Sequence, residues 1–92
     1  MKITLTERFQ KDASSLAEDA RNQLFSVMLK LPQVLGNPHQ HLGLGLRKIH
    51  SSGIYECRIG LGLRIAFGFK ENHLYLHRVG NHDEIRRYLK DL

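Results

Sequence analysis

Glu56, Arg58, Arg64, His82 and Tyr88 are the residue types that could together cleave an RNA phosphodiester without a metal or any other cofactor. Attack by the 2′-hydroxyl on its own phosphate needs a base for that hydroxyl, an acid for the leaving oxygen and cations on the phosphate. One positioned proton-transfer group contributes on the order of 10² to 10⁴ in rate. Arginine adds a planar fork that grips two phosphate oxygens at once. The plain alternative makes Glu56 and Arg58 solvated surface charges and His82 a residue of a capped helix start. On periodicity alone, that plain alternative carries more weight.

Other chemistries fit less well. Six histidines raise the question of zinc, and His73 and His77, four apart, would share an ion on a helix. The alternating "HLYLHRV" reads as a strand instead, where four residues span roughly 13 Å. His39 and His41 fall in a turn-rich stretch with no matching pair, so no metal is expected. Cys57 falls on the expected core side of its strand, where a thiol is inert. The two "GLGLR" runs, at 43–47 and 60–64, lack the lysine-serine ending and the strand-to-helix setting of a phosphate loop.

The elements that must carry these residues follow from pattern. "MKITLT" alternates as a short edge strand. Thr6 then suits a helix N-cap, with Phe9, Ala13 and Leu16 at helical spacing. The stripe continues through Ala20, Leu24, Val27, Met28 and Leu31, and Pro32 is expected to end it. Ser14 and Ser15 leave open whether this is two helices or one bent helix. After the connector "GNPHQHLGLGL" come four strand candidates, "LRKIH", "IYECRI", "RIAFGF" and "HLYLHRV", separated by turn signals at 51–53, 60–62 and 70–72. Short connections predict an antiparallel meander. Alternation puts Tyr55, Cys57 and Ile59 with the core and Glu56, Arg58 and Arg64 on the other face, which is expected to be charged and lined by small residues. Asn81 and Glu84 predict a capping box for a short last helix whose stripe is His82, Ile85, Leu89 and Leu92.

The predicted fold is therefore α+β: an N-terminal strand and helix pair packed on a four-stranded, mainly antiparallel sheet, with a short C-terminal helix. Residues 1–92 make one domain, long enough for a single modest core. Apolar residues make up 41% and charged residues 25%, the balance of an ordinary globular chain and not of a disordered one. A lone cysteine and no leader pattern make the cytoplasm the expected compartment, and no stretch is long enough for a membrane span. Fourteen Lys and Arg against nine Asp and Glu leave +5, which points to a polyanionic partner, either nucleic acid or an acidic protein segment.

Taken together, "LTERFQKDASSL", "LRKIHSSGIYECRI", "LRIAFGF" and above all the V-G-x-H-D-x-I of "HRVGNHDEIRRYL" resemble the RelE/ParE toxin superfamily of bacterial toxin–antitoxin systems. The resemblance covers nearly the whole chain and is typical of the RelE-like branch in its last motif. It implies a ribosome-dependent endoribonuclease that cuts mRNA in the decoding site, without metal, through a cyclic phosphate. By the same resemblance Arg58 and Arg64 match basic, phosphate-binding residues, His82 an acid or base, and Tyr88 a tyrosine that stacks on a base or assists catalysis. Arg47 and Lys48 match the basic start of the sheet that tracks RNA, and Arg78, Arg86 and Arg87 extend that surface. Glu56 stands where the best-known RelE branch carries a lysine; it is read as base or as orienter of Arg58. The implied partners are the ribosome, mRNA and an antitoxin with an acidic segment. The ParE-like branch, which inhibits DNA gyrase by protein binding, and a silent RNA-binding member of the fold are the alternatives.

Overall fold

The computed structural model describes residues 1–36 and 43–92; the expectations for residues 37–42 of the connector, including those for His39 and His41, lie outside the described residues. Along the chain run β1 (Lys2–Leu5), α1 (Glu7–Ser14), α2 (Glu18–Gly36), β2 (Arg47–His50), β3 (Ile54–Ile59), β4 (Leu63–Lys70), β5 (His73–Gly80) and α3 (His82–Lys90). The sheet order is β1-β5-β4-β3-β2. The predicted four-stranded meander is present in full, and β1 joins it as a fifth strand, parallel to β5, in the register Lys2↔His73 to Leu5↔Leu76. The parallel pairing is possible because two helices intervene before the chain returns to the sheet.

The Thr6 side chain caps α1 by accepting from Phe9 N at 3.1 Å, and its hydroxyl donates to His77 O at 2.9 Å, so one residue starts the helix and ties it to β5. The helices are two. After Ser14 the chain tightens, with Ser15 N donating to the Lys11 and Asp12 carbonyls and Leu16 N to Ala13 O. Pro32 does not end α2, contrary to expectation: the helix continues to Gly36. Proline forfeits one backbone hydrogen bond, but Leu24, Val27, Leu31 and Val34 are all buried on one stripe, and packing on both sides of the proline outweighs that loss.

The main core lies between the helix pair and one face of the sheet. Phe9, Leu24, Leu31 and Val34 meet Cys57, Ile59, Ile65, Phe67, Leu74, Leu76 and Val79 there. On the other face Ile54, Ala66 and Ile85 form a second, smaller cluster, with Ile49, Tyr88 and Leu89 packed against it. That face is thus not simply charged, as expected, but half covered by α3. Ile54 and Ala66 supply an apolar patch among the charges, and burying the Ile85 side chain on it is worth about 1.5–3 kcal/mol.

Candidate active site

Position of α3 fixes the site. The Asn81 side chain accepts from Glu84 N at 2.9 Å and the Glu84 carboxylate accepts from Asn81 N at 3.0 Å, a complete capping box. Gly80 makes this possible: a Cβ there would stand 3.0 Å from Glu84 Oε1 and 3.1 Å from its Cβ and Cδ. The V-G-x-H pattern therefore has a local physical cause, since the glycine leaves room for the glutamate that closes the cap. His82 is the first residue of α3, its side chain about half exposed (55%). Its Nδ1 lies 3.7 Å from Asp83 Oδ1, too long for a hydrogen bond.

His82 stands at the rim of a hollow of about 370 Å³ between α3 and the outer strands, whose lining includes Arg47, Lys48, Glu56 and Arg86. That volume is within the range of small-ligand sites, and three cations face one carboxylate. At its floor Glu56 is 3% exposed. Its Oε1 accepts from Arg47 Nε at 2.6 Å and from Arg64 Nη1 at 3.0 Å, joining β2, β3 and β4 through one oxygen. Glu56 thus orients Arg47 and Arg64, and not Arg58 as the sequence suggested. Register explains the choice: Arg47 is its cross-strand partner on β2 and Arg64 lies on the same face of β4.

Arg58 is exposed, and with Arg64 it lines a second hollow at the β3–β4 turn. Arg64 therefore connects the two, binding Glu56 on one side and facing Arg58 on the other. Tyr88 is elsewhere. Six residues at about 100° each turn it about 120° away from His82 around α3, and it lines a third hollow with Arg78 and Arg87. Burial pushes its phenol pKa up, partly offset by Arg78, whose guanidinium lies 5.9 Å above the ring centre. Tyr88 thus stays a neutral donor near neutral pH and suits stacking better than proton abstraction. Arg78 itself is 13% exposed and turned inward: its Nε and Nη2 donate to the Asp12 carboxylate at 2.6 and 3.3 Å.

Asp12 is the residue that pattern reading missed. Besides holding Arg78 it accepts from Val79 N at 3.2 Å, so α1 fixes the last turn of β5 from which α3 departs. The aspartate three residues after buried Phe9 was the available signal, because one helical turn puts both on the sheet-facing side. Cys57 is fully buried, its thiol pushed by burial up to about 12, as an inert core residue should be. His73 is hydrogen bonded to Thr4 Oγ1 at 2.7 Å, and no metal-ligating cluster occurs among the described residues.

No protein-family model and no curated protein matches this sequence. Solved structures do match. YafQ from Escherichia coli BL21(DE3) superposes with a TM-score of 0.74 at 16% identity over 91% of this chain and 96% of that one. The metal-bound toxin from Helicobacter pylori gives 0.68 at 25% identity over 92% and 98%. The RelB–RelE antitoxin–toxin complex from Methanococcus jannaschii gives 0.67 at 20% identity over 92% and 96%. The chain has the RelE-like fold shared by these toxins.

Proposed function

We propose that this protein is the toxin of a toxin–antitoxin pair and an endoribonuclease that cuts messenger RNA on the ribosome. The observation that carries the proposal is the meeting of His82 with Arg47, Lys48, Glu56 and Arg86 at one hollow of nucleotide size. His82 is exposed enough to exchange protons with a substrate and acts as acid or base at the scissile phosphate. Arg64, fixed by the buried Glu56 carboxylate, and Arg58 beside it bind the phosphate and take up the charge that develops on its oxygens. Lys48 and Arg86 hold the neighbouring backbone. Arg78 positions Tyr88, which stacks at the far flank of α3 together with Arg87. His82 serves one of the two proton transfers and solvent water the other, while the arginines carry the developing charge, so the proposed reaction invokes no metal.

Similarity to a toxin solved with its antitoxin supports a protein inhibitor for this chain too. An acidic segment laid over the cationic hollow would exclude RNA by occupying the same charges. Association of that kind slows as salt rises.

The test is primer extension on message from cells briefly expressing the chain. Cuts within translated codons are expected. Intact message with broken chromosomal DNA would show a gyrase inhibitor instead.

A further inference from the structure

The outward face of β5 carries aromatic rings at alternate positions, and the cleavage site uses none of them. His73 and Tyr75 stack with centroids 3.9 Å apart and planes at 13°; Tyr75 and His77 follow at 6.3 Å and 11°. Tyr88 of α3 continues the row at 6.4 Å from His77. The row is fixed in place. Thr4 holds His73 through the 2.7 Å bond, and His77 lies over Gly68, where a Cβ would stand 3.3 Å from its Nε2. Tyr75, in the middle, is 37% exposed.

Cations flank the row. Lys2 on β1 and Lys70 on β4 are both register partners of His73, and both are exposed. Cross-strand partners share a face, so the first ring stands between two exposed lysines. At the other end lie Arg8 and Arg87 beside Tyr88, with the carboxylates Glu84 and Asp91 near them. Alternate positions on a strand recur at about 6.6 Å, close to two base steps of about 3.4 Å each. His73 and Tyr75 close on one another, so the ring faces open to bases lie across the 6.3 Å step from Tyr75 to His77 and the 6.4 Å step from His77 to Tyr88. Each step is near the spacing that one inserted unpaired base needs, while lysines at the edge meet the phosphates.

We propose that His73, Tyr75 and His77 form a stacking platform for single-stranded RNA, with Lys2 and Lys70 on its phosphates, which carries the message past Tyr88 and away from the cleavage hollow. The proposal deepens the ribonuclease reading and rests on it for the identity of the strand. An acidic protein segment would use the lysines but has no need of a row of ring faces.

The experiment measures fluorescence anisotropy of a labelled 12-nucleotide oligouridylate with the full chain carrying His82→Gln, so that no cleavage intrudes. Tyr75→Ala and the bulk-retaining Tyr75→Leu are each expected to weaken binding roughly tenfold, with Tyr75→Phe near the parent. Lys70→Ala is expected to reduce the salt slope by about 0.7. Equal affinity of Tyr75→Leu and parent for the oligonucleotide overturns the platform, as does a loss confined to binding of a polyglutamate peptide. Cleavage by the chain without His82→Gln is read separately on message. Its absence, with the Tyr75 effect intact, counts against the ribonuclease reading and leaves the platform standing.

Discussion

Arg64 Nη1 lies 3.0 Å from Glu56 Oε1 on the floor of the hollow beneath α3, so a buried carboxylate sets the direction of the guanidinium proposed to bind phosphate. The pair is predicted to act as one unit. Glu56→Ala should cost about 2–4 kcal/mol of stability, since it strands a partly buried cation. In a double-mutant cycle with Arg64→Ala the losses of cleavage rate should fall short of their sum by about 1–3 kcal/mol. Urea unfolding and single-turnover cleavage measure the two effects. Simple additivity would show Glu56 acting by itself, as a base.

Asp12 ties α1 to the turn before α3 through Arg78 and the Val79 amide. Asp12→Ala leaves a nearly buried guanidinium without its partner and should destabilise the fold by about 3–5 kcal/mol. Urea unfolding checks it. A change below about 0.5 kcal/mol, the scale of an exposed pair, would show that the bond is not needed to hold β5 against α1.

His77 gives the fold a pH dependence of known sign. Partial burial lowers its pKa below the ordinary value of 6.5, so as pH falls the unfolded chain takes up its proton first. Stability is complete above the unfolded value and declines as pH drops through about 6.5 toward the lower folded value. Tyr75, Tyr88 and Arg78 stand around the ring, and although the exposed Asp91 lines the same hollow, desolvation sets the direction of the shift. Thermal melts between pH 7.5 and 5 should therefore show a drop that His77→Phe reduces. An identical drop in both forms would assign it to other groups.

Cys57, with its thiol pushed up to about 12, holds almost no thiolate at pH 8. Ellman's reagent should therefore leave the folded chain unmodified and react once it is unfolded in guanidinium. Rapid reaction of the folded chain would contradict the packing of β3 against the helix pair.

The elements that could be read in advance were those whose cause is local. Thr6 and the Asn81–Glu84 box announce their helices by side chains that satisfy nearby amides, and the turn residues separate strands of largely alternating pattern. Non-local effects were not legible. Nothing near Pro32 shows that buried Leu31 and Val34 carry α2 past it, and nothing near Leu5 shows that β1 returns beside β5. In the site, His82, Glu56 and Arg64 could be picked by type, and their faces follow from alternation. Which arginines Glu56 binds depends on register between three strands, and which hollow His82 and Tyr88 each face depends on how α3 is rotated against Ile54 and Ala66. The aromatic row was hidden because "HLYLH" is informative only once the sheet shows which side of β5 is open.

The most direct test of the account is single-turnover cleavage of message on ribosomes in buffer stripped of transition metals and holding only the magnesium that keeps ribosomes assembled, comparing the chain with its His82→Gln form. The account predicts cuts by the parent that leave a 2′,3′-cyclic phosphate and need no divalent ion beyond that required to keep ribosomes assembled. It also predicts a loss of at least about 10²-fold in the variant. Equal cleavage by both forms would remove His82 from the chemistry and with it the central role given to the hollow at the start of α3.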